Sequence, residues 1–147
     1  MGARRKGREL AVQALYQIDA QGGSSAEMLR LFWEQADAGV RAKAFAASLV
    51  AGVGEERERI DKLIGEASEH WRFERLSAVD LNVLRVATYE LLQRAAPTSV
   101  VLDEAIEIAR RFGTGESAVF VNGVLDQIAA QLGVKETAAA RHARDDG

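Results

Sequence analysis

Four cations, Arg4, Arg5, Lys6 and Arg8, crowd the first eight residues of the chain, and a cluster of that kind is suited to holding phosphate oxygens. At about 100° per residue along a helix, Tyr16 falls within roughly 20° of Arg5, with Arg8 and Val12 beside them. An aromatic ring is thereby placed on the basic face, opposite a stripe of Leu10, Ala14 and Ile18. Single-stranded nucleic-acid sites combine cations that track the backbone with rings on which bases stack. The bland alternative is a solvated helix start, with Tyr16 packed on a neighbouring helix and its hydroxyl outward. Positive charge at a helix N-terminus opposes the macrodipole by a few tenths of a kcal/mol, so the cluster is slightly unfavourable without a partner.

Elsewhere the residue types that do chemistry are sparse. His70 and His142 are the only histidines, and they fall into neither a zinc-binding H-E-x-x-H nor a Ser/His/Asp arrangement. With no cysteine there is no disulfide, thiol nucleophile or Cys-ligated metal. The run Gly113-Thr114-Gly115-Glu116-Ser117 lacks the Gly-Lys-Ser/Thr ending of a phosphate loop and follows a helical stripe. It reads as a helix C-cap followed by a new N-terminus, whose N–H groups can still receive an anion. Acidic pairs such as Asp103 with Glu104 belong to solvated faces with pairing of the Glu107 to Arg111 kind. These features point to a binding protein rather than an enzyme, with no metal, cofactor or small-molecule substrate.

The elements that must position the basic arm are helical. Only Pro97 interrupts windows rich in Ala, Leu, Glu, Arg and Gln. Apolar residues recur at three and four, predicting a first helix over Arg4 to Ala20, ended by Gly22 and Gly23. Ser24 with Glu27 reads as a capping box for a second helix, with Met28, Leu31, Phe32 and Trp33 inward and Gly39 closing it. Phe45, Leu49 and Val53 mark a third helix that stops at Gly52 and Gly54, and Ile60, Leu63, Ile64 and Ala67 a fourth reaching His70. Ser77 with Asp80 caps the fifth, which carries Val83, Leu84, Val86, Ala87 and Leu91 to Pro97; Val101, Ala105, Ile108 and Phe112 define the sixth. Val121, Val124, Leu125, Ile128 and Leu132 make the last stripe, and its helical spacing overrules the hairpin signal Asn122-Gly123. Gly123 inside a helix then suggests close approach of another helix.

In a chain of 147 residues, 48% hydrophobic and 28% charged, these stripes predict one all-α domain over 1–133. The polar, alanine-rich residues 134–147 read as a disordered tail. No apolar run reaches the roughly 18 residues of a membrane span and no signal-peptide core follows the basic start, so the expected location is the cytoplasm.

RKGRELAVQALYQ (Arg5 to Gln17), Gly52-Val53, LNVLRVATYEL (Leu81 to Leu91), DEAIEIARRFG (Asp103 to Gly113) and FVNGVLD (Phe120 to Asp126) occur in an order that resembles the NusB family over nearly the whole chain. The resemblance implies about seven helices in two packed bundles. It also implies a transcription antitermination factor that binds the single-stranded boxA element of ribosomal RNA transcripts with the ribosomal protein NusE, within the RNA polymerase antitermination complex. Carried over residue by residue, the RNA surface corresponds to Arg4, Arg5, Arg8, Gln13 and Tyr16 together with Phe112, Glu116, Ser117 and Phe120, two patches that would have to meet in the fold. The NusE surface corresponds to Glu74, Arg75 and Asp80. The chain departs from the family pattern at Val119, where many members have a lysine, and at Asp103, where asparagine is usual. A stand-alone helical RNA-binding or adaptor domain, related to the N-terminal domain of rRNA cytosine methyltransferases, is the alternative; no Gly-rich strand-to-helix turn for a nucleotide cofactor is present.

Overall fold

Each stripe becomes one helix in a computed structural model, which describes residues 2–68 and 76–134. The helices are α1 (Gly2–Ala20), α2 (Ala26–Gln35), α3 (Val40–Glu55), α4 (Arg57–Ala67), α5 (Ala78–Gln93), α6 (Thr98–Phe112) and α7 (Ser117–Leu132), and no strand occurs among the described residues. The expected connection Trp71 to Leu76 falls almost wholly outside the described residues, as do His70, Glu74, Arg75, His142 and nearly all of the expected tail.

Two groups of helices meet along α1. α1 lies on α3 on one side and on α5 on the other, while α4, α6 and α7 gather round α5. The core follows that plan, with Ile60, Ile64, Leu84, Leu102, Leu125 and Ile128 fully enclosed. A charged cluster closes the C-terminal end of α1. The buried Arg85 donates to Asp61 at 2.9 Å and to Asp19 at 2.8 Å, Arg57 reaches the same two carboxylates, and Asn82 donates to Asp19 at 3.1 Å. Two carboxylates and two guanidiniums thus neutralise one another where α1, α4 and α5 converge.

Local signals set most helix ends. The Ser77 side chain accepts from the Asp80 N–H at 3.0 Å, which is half of the expected capping box. The return half is absent: the Asp80 Oδ1 atom is buried without a partner. Ser25 rather than Ser24 caps α2, accepting from the Met28 N–H. α5 ends at Arg94 in the left-handed region, and Pro97 opens α6 instead of closing α5.

Several expectations need correcting. α2 buries no residue completely, Leu31 is 40% exposed, and Leu29 packs on the core in its place beside Phe32 and Trp33. Gly39 caps the start of α3, and Gly52 lies inside that helix. Gly123 faces open space, so no helix approaches it. The close approaches are elsewhere: a Cβ on Gly52 would meet the Tyr89 ring at 2.0 Å, and one on Gly7 would meet Phe45 at 2.7 Å. Gly113 has φ −95, an ordinary backbone angle, and is required for room, because a Cβ there would lie 2.3 Å from the Ser117 hydroxyl. Gly133, φ 71, is the left-handed cap, at the end of α7.

Candidate nucleic-acid interface

The N-terminal cations sit on α1, and the structure pairs most of them. Arg4 lies over the Phe45 ring, 4.7 Å from its centroid. Arg5 stays exposed while donating to both carboxylate oxygens of Glu104, at 2.9 and 3.4 Å. That hydrogen bond first, and the Glu104 charge second, raise the Arg5 pKa above its already high ordinary value, so Arg5 is a cation at any working pH.

Arg8 differs from the expectation. It is 4% exposed and makes a two-pronged pair with Glu90 of α5, at 2.8 and 2.9 Å. Val12 is buried with it. A wheel with one buried stripe places both outside, but α1 is covered on two sides: α3 lies along the face of Gly7, whose neighbours there are Phe45 and Ala42, and α5 with α6 takes Arg8 and Val12. What stays open is a narrower sector holding Arg5, Gln13, Tyr16 and Gln17, with Tyr16 45% exposed.

The second patch reaches this sector through one ion pair. Arg111, next to Phe112 near the end of α6, donates to Glu9 of α1 at 2.9 Å and also lies 5.2 Å from the Phe112 ring centroid. Glu9 follows Arg8 directly in the chain, so the pair fixes the end of α6 beside the basic arm, with Phe112 exposed. The turn between α6 and α7 then presents Glu116 to solvent. Ser117 is 1% exposed, and its hydroxyl accepts from the Thr114 N–H at 2.9 Å, so it locks the turn rather than facing a ligand.

Phe120 is half-buried and lines a groove of 560 Å³ with Glu116, Leu76 and Asp80. Glu116, Ser117 and Phe120 of the expected RNA surface therefore share one depression with Asp80 of the expected NusE surface. Val119, 78% exposed, stands on its rim. A second groove of 390 Å³ runs between α1 and α2, and it takes up Gln13 and Lys6. Lys6, outside the site expected from sequence, is the one member of the N-terminal cluster with neither a carboxylate nor a ring partner among the described residues. Its signal was available: at about 100° per residue it falls within roughly 20° of Gln13. Glu104 was also missed, being 99 residues from the arginine it engages.

The family model for NusB matches residues 5–130, which takes in both the α1 arm and the α6–α7 turn. This chain belongs to the NusB family. A Transcription antitermination protein NusB from Sorangium cellulosum is 46% identical over 134 residues, covering 90% of this chain and 96% of the relative. NusB of T. maritima superposes with a TM-score of 0.78 at 42% identity, covering 87% of this chain and 91% of that one. A solved structure of antitermination factors NusB and NusE in complex with dsRNA matches with a TM-score of 0.79 at 26% identity, covering 89% and 98%. The all-helical NusB architecture and the seven-helix order agree with the expectation from sequence.

Proposed function

We propose that the chain is a cytoplasmic transcription antitermination factor that binds the boxA element of nascent ribosomal RNA together with NusE, and carries out no catalysis. The observation that supports it best is the Glu9–Arg111 pair, which sets exposed Phe112 beside the α1 sector bearing Arg5 and Tyr16. Two exposed rings flanked by cations suit unpaired bases on a phosphate backbone. Membership of the NusB family and the likeness to a NusB solved with NusE and dsRNA support the same reading. No described helix is long and apolar enough to cross a membrane.

In this reading Arg4, Arg5, Gln13, Tyr16, Phe112, Glu116 and Phe120 face the RNA, while Arg8 and Ser117 hold the surface from beneath. NusE docks at the surface of Glu74, Arg75 and Asp80, of which Asp80 lines the groove beside Phe120. Titrating a single-stranded boxA RNA, with and without NusE, tests the proposal. Arg5→Ala should flatten the plot of log affinity against log salt by up to about 0.7. Tyr16→Ala should weaken binding by about 1–3 kcal/mol with the slope nearly unchanged. Wild-type protein with no affinity for this RNA, alone or with NusE, would sink the reading.

A further inference from the structure

The groove between α1 and α2 has a lining unlike the arginine-rich arm next to it. Leu10, Met28, Leu31 and Phe32 form an apolar floor. Gln13, Gln17, Gln21 and Gln35 stand round it, and all four are exposed. None of these four amides is engaged by another side chain among the described residues. A carboxamide offers a donor and an acceptor side by side, the pattern that matches the edge of a nucleobase, adenine above all. Lys6, with no carboxylate partner among the described residues, supplies the cation, and Asp37, the one acid among the described lining residues, can accept from an exocyclic amino group. At 390 Å³ the groove lies at the lower end of the about 300–1,000 Å³ usual for small-ligand clefts.

We infer that this groove holds an unpaired nucleobase of the bound RNA, set against Phe32 and read at its edge by Gln17 and Gln35, with Lys6 on the adjoining phosphate. The inference rests on the RNA-binding reading above. Two features favour RNA over a peptide. The groove is continuous with the arm through Gln13, and Lys6 and Gln17 lie about 16 Å apart along α1, so one strand can follow the helix from the arginines into the groove. Its polar groups are also suited to base edges: a peptide helix would bury the four amides against apolar side chains with their hydrogen bonds unmade.

The test uses the full chain and a single-stranded boxA RNA in which each base in turn is replaced by an abasic residue. For the wild type, one or two positions beyond those whose penalty is lost in Tyr16→Ala or Phe112→Ala should show a penalty of about ten-fold. In the double variant Gln17→Leu, Gln35→Leu, affinity for the intact RNA should fall about ten-fold and those position-specific penalties should vanish, with the salt slope unchanged. Lys6→Gln should instead lower the slope by about 0.7. Circular dichroism and the melting curve should match the wild type, since the substituted amides are exposed. A double variant with wild-type affinity and the wild-type abasic profile, in a protein whose RNA binding Arg5→Ala still weakens, overturns the groove and leaves the functional reading standing. Loss of NusE binding with RNA binding intact also overturns it, as the groove would then be a protein site. Wild type that fails to bind the RNA removes the functional reading and this inference with it.

Discussion

The two flanks of α1 have been treated differently by the fold. Toward α5 and α6, Arg5, Arg8 and Glu9 each meet an opposite charge, in Glu104, Glu90 and Arg111 respectively. Toward α2, Lys6 and the glutamines have no side-chain partner among the described residues, and no residue of α2 is completely buried. Both flanks are rich in polar residues, yet one uses them for cohesion and the other leaves them free. The formal charge of an N-terminal arm therefore overstates the field it shows to a ligand, because a cation with a carboxylate at contact distance is largely cancelled beyond a Debye length of about 8 Å. A partner meets the unpaired groups directly, whereas for exposed Arg5 it competes with Glu104.

Removing one half of the most enclosed pair should have the largest effect. Arg8→Ala leaves Glu90 buried with no counter-charge and should cost about 3–5 kcal/mol, read as a fall in the chemical-denaturation midpoint. The double replacement Arg8→Met, Glu90→Leu should recover most of that loss. A single variant that loses less than about 1 kcal/mol would mean that the cohesive flank does not depend on this pair.

Close packing offers a second way to separate the two kinds of surface. Gly52→Ala drives a methyl into the Tyr89 ring between α3 and α5 and should cost about 1–3 kcal/mol. Gly123→Ala, mid-helix and with nothing within 4 Å, should raise stability by up to about 1 kcal/mol. Thermal melts of the two variants moving in the same direction would show that room, as read from these helices, is not what distinguishes them. The smallest effect is expected on the open flank. Leu31→Gln on α2 should change stability by less than about 0.5 kcal/mol; a larger loss would mean that α2 belongs to the core.

What could be read from the sequence divides along the same line. Periodicity found all seven helices, since the three-to-four spacing of residues such as Val121, Val124, Leu125 and Ile128 is a local property that burial rewards directly. The Ser77 cap was legible because its partner, Asp80, is three residues away. The partners of Arg5 and Arg8 were not, being 99 and 82 residues distant. The choice between Ser24 and Ser25 turned on backbone geometry that two adjacent serines do not reveal. The glycines failed for a related reason. Gly7, Gly52 and Gly113 are small because something stands beside them, and a linear pattern does not say which glycine that is. The candidate site was legible as a set of residue types on α1 and at the α6–α7 turn, but which of them face outward was decided by α5 and α6 lying across Arg8.

The α2 helix is hung between Gly22 and Gly23, both at positive φ, and the Gly39 cap of α3. Its ten residues touch the rest of the chain sparsely and bury no side chain completely. Partial unfolding of a protein proceeds in units, the least stable first, and each unit has its own opening free energy. With no residue fully buried, α2 is expected to be the first such unit to open, and hydrogen exchange should find its backbone amides less protected than those of α5. A molecule lodged against α1 must hold this helix still, and the conformational entropy lost in doing so is deducted from its affinity.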